Sequence, residues 1–241
     1  MNWTPAELLI CTLSRRLRDR ETVVVGNFSP VPAAAALLAQ ASHAPRAEIC
    51  ILGDERNWPY EEAQQLYDAV QRGEADVFFL SGAQIDAYGN VNLHAIGRYE
   101  SPEVRLPGGA GAALFYYRCK RILLFKTDHR PRGFPERVDF ISAHAGPEYR
   151  QDGLGQLDGV YTPLAVMRRS PHTGRLRLAA AAPDTTVQDI RQRTGFELES
   201  EPEPERMEPP SREELQLLRG LVKDKMTGIY PRFAKEELGN G

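Results

Sequence analysis

The sequence predicts an α/β protein: an open, mostly parallel sheet with helices on both faces. Three observations lead there. Thr22–Val25 and Asp76–Leu80 are short β-branched or aromatic runs with no polar alternation, as expected of strands buried on both faces. Other segments repeat their apolar residues at helical spacing. The two kinds of segment alternate along the chain, the pattern of β-α-β units.

Taken in order, Thr4, Pro5 and Glu7 form a T-P-A-E capping box, and Leu8, Leu9, Leu13 and Leu17 follow at helical spacing. Thr22–Val25 is the first strand and ends at Gly26. An Ala/Leu helix runs from Ala33 to Ala41 behind Pro30 and Pro32. Glu48–Leu52 is the second strand, Tyr60–Arg72 an amphipathic helix and Asp76–Leu80 the third strand. Further strands are expected at Arg121–Phe125, Val138–Ile141, Val160–Arg168 and Arg175–Leu178. Glu197–Pro210 is acidic and proline-rich without apolar period, and reads as an extended, exposed connection. Ser211–Glu214 is a second capping box opening a helix through about Val222. The expected organisation is therefore an α/β domain over residues 1–196, followed by the connection and C-terminal helix of residues 197–241.

The 241 residues give ample length for a core without disulfide or metal staples. A net charge of −3 gives no reason to expect nucleic acid or an anionic membrane as partner. Cys11, Cys50 and Cys119 lie far apart, which suits a reducing compartment, so a cytoplasmic protein is expected. The start, MNWTPAELL, lacks a basic region followed by an apolar run, and no apolar stretch approaches membrane-spanning length. His43, His94, His129, His144 and His172 are scattered without ligand spacing, so no metal site is expected.

Residues 77–113 hold the most chemical information. The third strand runs into Ser81-Gly82-Ala83-Gln84, a turn follows at Asp86-Ala-Tyr-Gly89-Asn90, and a glycine-rich loop spans Gly108, Gly109, Ala110 and Gly111. Ligands of open parallel sheets bind beyond the carboxyl ends of the strands, where Gly82–Asn90 falls. Gln84, Asp86, Asn90 and Asn92 concentrate amides and a carboxylate there. Gly108–Gly111 leaves backbone N–H groups uncovered for a phosphate, a pantetheine amide or an oxyanion. A plain structural turn at Asp86–Asn90 accounts for the same residues, because Asp and Asn bond their own backbone.

The string GAQIDAYGNVN, the charged spacer and RLPGGAGAA resemble the β subunit of glutaconate CoA-transferase and its relatives, among them acyl-CoA hydrolases and decarboxylases. VVVGNFSPVPAAAALLA, HAPRAEICILG, VYTPLAVM and DTTVQDIRQRTGFELE fall in the family's order, so the resemblance covers most of the chain. It implies an enzyme acting on acyl-CoA, with coenzyme A arriving as substrate and no permanently bound cofactor. It also implies a homologous α subunit, an α2β2 assembly and an active site at the α–β interface. Gly26 and Pro30 in the first turn, Gly82, Asp86 and Asn90 in the motif, and Gly108, Gly109, Ala110 and Gly111 are the expected ligand contacts. Gln84 is expected to orient the thioester carbonyl or its oxyanion.

In the family's transferases a β-subunit glutamate at the end of the second strand attacks the acyl-CoA, and a carboxylate suits that nucleophilic role. Here Ile51 or Leu52 falls at that position. Cys50 is one residue away but reads as a buried structural thiol. Asp54 and Glu55 follow the strand end and are the remaining carboxylate candidates. The departure leaves CoA transfer open beside C–C hydrolysis or decarboxylation, the chemistry the resemblance implies for members without the glutamate, with a non-catalytic β chain that completes the α-subunit pocket as the alternative. Arg98, Arg105, Lys120 and Arg121 are candidates for CoA phosphates or a substrate carboxylate.

Overall fold

The computed structural model describes residues 2–54, 56, 58–146 and 154–239. Helix α1 (Pro5–Ser14) starts at the expected box: the Glu7 N–H donates to Thr4 Oγ1 at 3.1 Å and the Thr4 N–H donates to Glu7 Oε2 at 2.9 Å. Strand β1 (Thr22–Val25) leads to α2 (Pro30–Ala41), β2 (Glu48–Ile51), α3 (Ala63–Gln71) and β3 (Val77–Leu80). Two short hairpins follow: β4 (Gln84–Ile85) with β5 (Val91–Asn92), and β6 (Ala95–Ile96) with β7 (Val104–Arg105). Next come α4 (Ala112–Arg118), β8 (Arg121–Phe125), β9 (Gln156–Tyr161), β10 (Ala165–Arg169), β11 (Leu176–Ala181), α5 (Val187–Arg193) and β12 (Glu199–Arg206). The C-terminal part holds α6 (Arg212–Leu217), a π-helical turn at Leu218–Val222, α7 (Lys223–Ile229) and α8 (Pro231–Glu237).

The main sheet has the order β12-β11-β10-β9-β8-β3-β1-β2. Every neighbouring pair is parallel except β9 with β10 and β10 with β11. The run expected as one strand from Val160 to Arg168 is a hairpin. Pro163 has no N–H for a ladder, and Thr162 Oγ1 accepts from the Leu164 and Ala165 N–H groups at 3.2 and 3.0 Å, closing the turn.

Helices cover both faces. One core joins α1, α2 and the C-terminal helices to Val23, Val25 and Val77; the other joins Leu66 of α3, Phe115 of α4 and Ile190 of α5 to Val24, Phe78 and Ile122. Ala33–Ala36 are fully buried, and their small side chains let neighbouring helices approach α2 closely. Glu7 ties the two chain ends together through an ion pair with Arg219 at 2.7 Å.

Glu199–Arg206, expected as a solvated connection, is instead hydrogen-bonded to the sheet as the parallel edge strand next to β11. An outermost strand needs only one side of its backbone paired, so it tolerates two prolines, and its charges discourage further edge pairing. Val138–Ile141, expected as a strand, forms no ladder. Its backbone N–H groups go to side chains: Val138 to Asp86 Oδ2 at 3.4 Å and Asp139 to Gln84 Oε1 at 3.0 Å.

Candidate active site

β1, β3, β2 and β8 all end on one side of the sheet. The chain leaves β1 for α2 on one face and β2 for α3 on the other, so the reversal of strand order falls between β1 and β3, where a crevice opens. A cavity of about 700 Å³ occupies it. Its wall is built from Gly26–Val31 after β1, Leu52 after β2, Ser81–Ala83 after β3, Lys126 and Thr127 after β8, and residues 106–112 leading into α4. Tyr67, Phe78 and Phe115 form an aromatic side, with Phe78 and Phe115 stacked at 4.6 Å.

Two glycines make the geometry. A Cβ on Gly82 would stand 2.5 Å from Val91 Cγ1 and 2.8 Å from the Asn92 carbonyl oxygen. A Cβ on Gly111 would stand 2.2 Å from Tyr67 Cε1 and 2.7 Å from Phe115 Cε2. Both positions let backbone approach where any side chain would collide. Phe28, on the mouth, is 86% exposed and adopts φ +53°, a left-handed conformation costly for an aromatic residue.

Of the expected ligand contacts, Gly26, Pro30, Gly82, Gly108, Gly109, Ala110 and Gly111 all lie on the cavity wall. Gln84, Asp86 and Asn90 do not; they are buried behind it. Gln84 Nε2 donates to Asp139 Oδ2 at 3.0 Å, while Gln84 Oε1 accepts from Asn92 Nδ2 at 2.8 Å and from the Asp139 N–H. Asp86 Oδ1 accepts from the N–H groups of Tyr88 and Asn90 at 2.9 and 3.0 Å, and its Oδ2 accepts from Asn90 Nδ2 at 2.9 Å. Asn90 Oδ1 accepts from the Ala145 N–H at 2.8 Å. The motif is thus a brace that fixes Gly82 and Ala83 from behind, with the Gln84 side chain bonded to Asp139 and Asn92 behind the wall.

Other candidates fall away from the cavity. Asp54 is buried beside Arg56, whose N–H donates to its Oδ1 at 3.2 Å, and it does not line the wall. Glu55 lies outside the described residues. Cys50 faces the helical core, and burial pushes its thiol up to about 12. Lys120 and Arg121 sit at the amino end of β8, paired with Asp76 and with Glu21, the latter at 2.8 Å. Arg105 lies over the Tyr99 ring at 4.8 Å, and its Nη2 donates to the Tyr99 carbonyl at 3.0 Å. Among the histidines, His94 Nδ1 meets Ser142 Oγ at 2.6 Å behind the glycine loop. His129 is clamped between Thr162 and Thr194 at 2.9 and 3.0 Å, and burial holds its imidazole down at about 4. Among the described residues no group of three or more His, Cys, Asp or Glu is arranged to hold a metal, and no helix is long and apolar enough to cross a membrane.

Sequence reasoning missed Lys126, Leu52 as a wall residue, and the aromatic side. Lys126 was within reach of the rule that selected Gly82, since it directly follows a parallel strand.

The fold and much of the sequence have known counterparts. The chain is 27% identical over 229 residues to the B subunit of glutaconate CoA-transferase from Acidaminococcus fermentans, covering 82% of this chain and 85% of that one. It is 31% identical over 160 residues to the B subunit of 3-oxoadipate CoA-transferase from Pseudomonas knackmussii, covering 63% and 60%. The crystal structure of the decarboxylase AibA/AibB superposes with a TM-score of 0.82 at 22% identity over 100% of both chains. The sequence also matches the family described as Coenzyme A transferase over residues 6–193, and the chain belongs to that family.

Proposed function

We propose that this chain is the β subunit of a heteromeric enzyme acting on acyl-CoA thioesters, and that its reaction is C–C hydrolysis or decarboxylation rather than CoA transfer. One observation carries the second half of that reading: among the described residues, no carboxylate lines the cavity, and the resemblance puts Ile51 or Leu52 where a transferase nucleophile is expected. Covalent CoA transfer through a glutamyl thioester needs a carboxylate at that place. An apolar and aromatic wall with exposed loop backbone suits a pantetheine arm and an acyl chain. The glycine loop and the turn after β1 would approach the thioester, with Gln84, Asp86 and Asn90 holding that backbone in place. The similarity to the B subunits of two CoA-transferases supports a homologous α subunit, placed in an α2β2 assembly with the cavity at the interface. Three buried, unpaired thiols fit the cytoplasm.

The test is a mass-spectrometric product assay on the co-purified α/β complex, with a panel of acyl-CoAs offered with and without an acceptor carboxylate. Loss of carbon dioxide or gain of water without acceptor is the expected result. New acyl-CoA formed only with acceptor would overturn it and direct attention to Glu55.

The lack of a carboxylate among the described wall residues also supports a second reading, in which this chain is non-catalytic and completes the α-subunit pocket. In that case substitutions in Gly108–Gly111 would impair assembly before chemistry, measured by size-exclusion chromatography beside turnover.

A further inference from the structure

This inference rests on the acyl-CoA reading above and assigns a task to a residue inside the same cavity. Among the described wall residues, Lys126 is the one with a charged side chain. That side chain is only 11% exposed, and its stem lies over Gly133, where a Cβ would stand 2.7 Å from Lys126 Cε. The chain therefore leaves a channel for this lysine. Its Nζ donates to the carbonyls of Gly82 at 2.9 Å and Ala83 at 3.4 Å, which aim it at the loop after β3. The nearest carboxylate, Asp128, is 3.9 Å away, 42% exposed, and shared with Arg130 at 3.5 Å. Two carbonyl dipoles and one half-exposed carboxylate at the outer limit of an ion pair leave a desolvated ammonium only partly neutralised. A cation in that state, with no other charged side chain among the described wall residues, is what an anionic ligand group completes.

We propose that Lys126 reads negative charge on the acyl part of the ligand, through a hydrogen bond from its ammonium to an anionic oxygen. Two sources share that chemistry: a carboxylate at the far end of the acyl chain, or the oxyanion that develops on the thioester carbonyl.

The experiment compares glutaryl-CoA with 5-methylhexanoyl-CoA, which replaces the terminal carboxylate by an apolar group of the same shape, and with CoA itself. Binding and turnover are measured on the intact complex carrying wild-type chain, K126M or K126R. If the source is a terminal carboxylate, the wild type binds glutaryl-CoA about tenfold to a hundredfold tighter, the range of a charge-assisted hydrogen bond. K126M removes that preference, K126R keeps it, and CoA binds all three alike. If the source is the oxyanion, both thioesters bind equally, and K126M lowers kcat with KM retained while K126R restores it. Burial and Arg132 hold the lysine below its ordinary range, against Asp128, which works to raise it. The wild-type charge effect should therefore fade at a pH below that of a free lysine.

The inference is overturned if K126M changes neither preference nor kcat. It is equally overturned if K126M and K126R damage both thioesters and the melting temperature alike, the mark of a purely structural tie to Gly82. Failure of CoA and both thioesters to bind the wild-type complex would overturn the acyl-CoA reading itself, and this inference with it.

Discussion

At the amino ends of the parallel strands, Asp158 on β9 pairs with Arg16 at 3.0 Å, Arg121 at 3.1 Å and Arg168 at 3.5 Å, and Arg121 also holds Glu21 at 2.8 Å. The Thr22 N–H donates to Asp76, which pairs in turn with Lys120. At the carboxyl ends of the same strands, the described cavity wall carries no such network. Glycine backbone, aromatic rings and one lysine surround an open cavity. One end of the sheet is closed by mutually satisfied charges; the other is left unfilled and held open from behind by the Gln84–Asp139 and Asp86–Asn90 hydrogen bonds. The difference explains how a cavity stays open at the sheet's end: rigidity comes from parts that do not line it.

The largest effect should come from breaking the closed end. Asp158→Ala leaves arginines without their shared buried partner and should cost about 3–5 kcal/mol of stability, read by urea denaturation. At a temperature where the variant remains folded, ligand affinity should be retained, because the network lies at the far end from the cavity. Acid should separate the two regions as well. His129 is held at about 4 in the folded chain against an ordinary 6.5, so the unfolded chain takes up its proton first. Stability from this site is full above about 6.5 and lost as pH falls toward about 4. A thermal-melt series over that range should show a loss on the order of 3 kcal/mol that a His129→Gln variant lacks. Although burial works to raise the Asp158 carboxyl, hydrogen bonds from Arg16 and Tyr161 hold it down at about 2. Its contribution is lost only below the ordinary 3.8, as pH falls toward about 2.

At the open end, Gly82→Ala forces a methyl group against the Asn92 carbonyl and Val91. It should cost roughly 1–3 kcal/mol by overpacking and weaken acyl-CoA binding by titration calorimetry, whereas the Asp158 variant weakens only stability. Gln84→Ala strands the Asp139 N–H and the Asn92 amide, a loss of about 1–3 kcal/mol. Its turnover should fall only as far as the loop loosens. An unchanged melting temperature with abolished turnover would assign Gln84 a direct catalytic role. The smallest effect is expected at Phe28. Phe28→Gly relieves a left-handed aromatic residue and should change stability by no more than about 1 kcal/mol, in the favourable direction.

Legibility in the sequence follows the same division. The strands were readable because uninterrupted runs such as Val23–Val25 and Phe78–Leu80 have only one comfortable place, between two helical layers. Val138–Ile141 was misread because apolar residues alone do not reveal that Gln84 and Asp86, more than fifty positions earlier, take its backbone N–H groups. In the site, glycines and strand ends were legible since only backbone geometry is asked of them. The position of Gln84 and Asp86 behind the wall was not, because a polar residue near a site looks the same whether it faces the cavity or the loop. Lys126 escaped notice because a lone lysine after a strand is solvated by default, and only the fold shows it buried.

The central claim is that the cavity after β1, β3 and β8 receives the acyl-CoA. The most direct measurement is calorimetric titration of the α/β complex with acyl-CoA, comparing wild type with Leu52→Trp, which fills the cavity from the end of β2. A loss of affinity of about a hundredfold or more, with assembly and melting temperature preserved, is the expected result. Undiminished binding by the filled variant would contradict the account and place the ligand elsewhere.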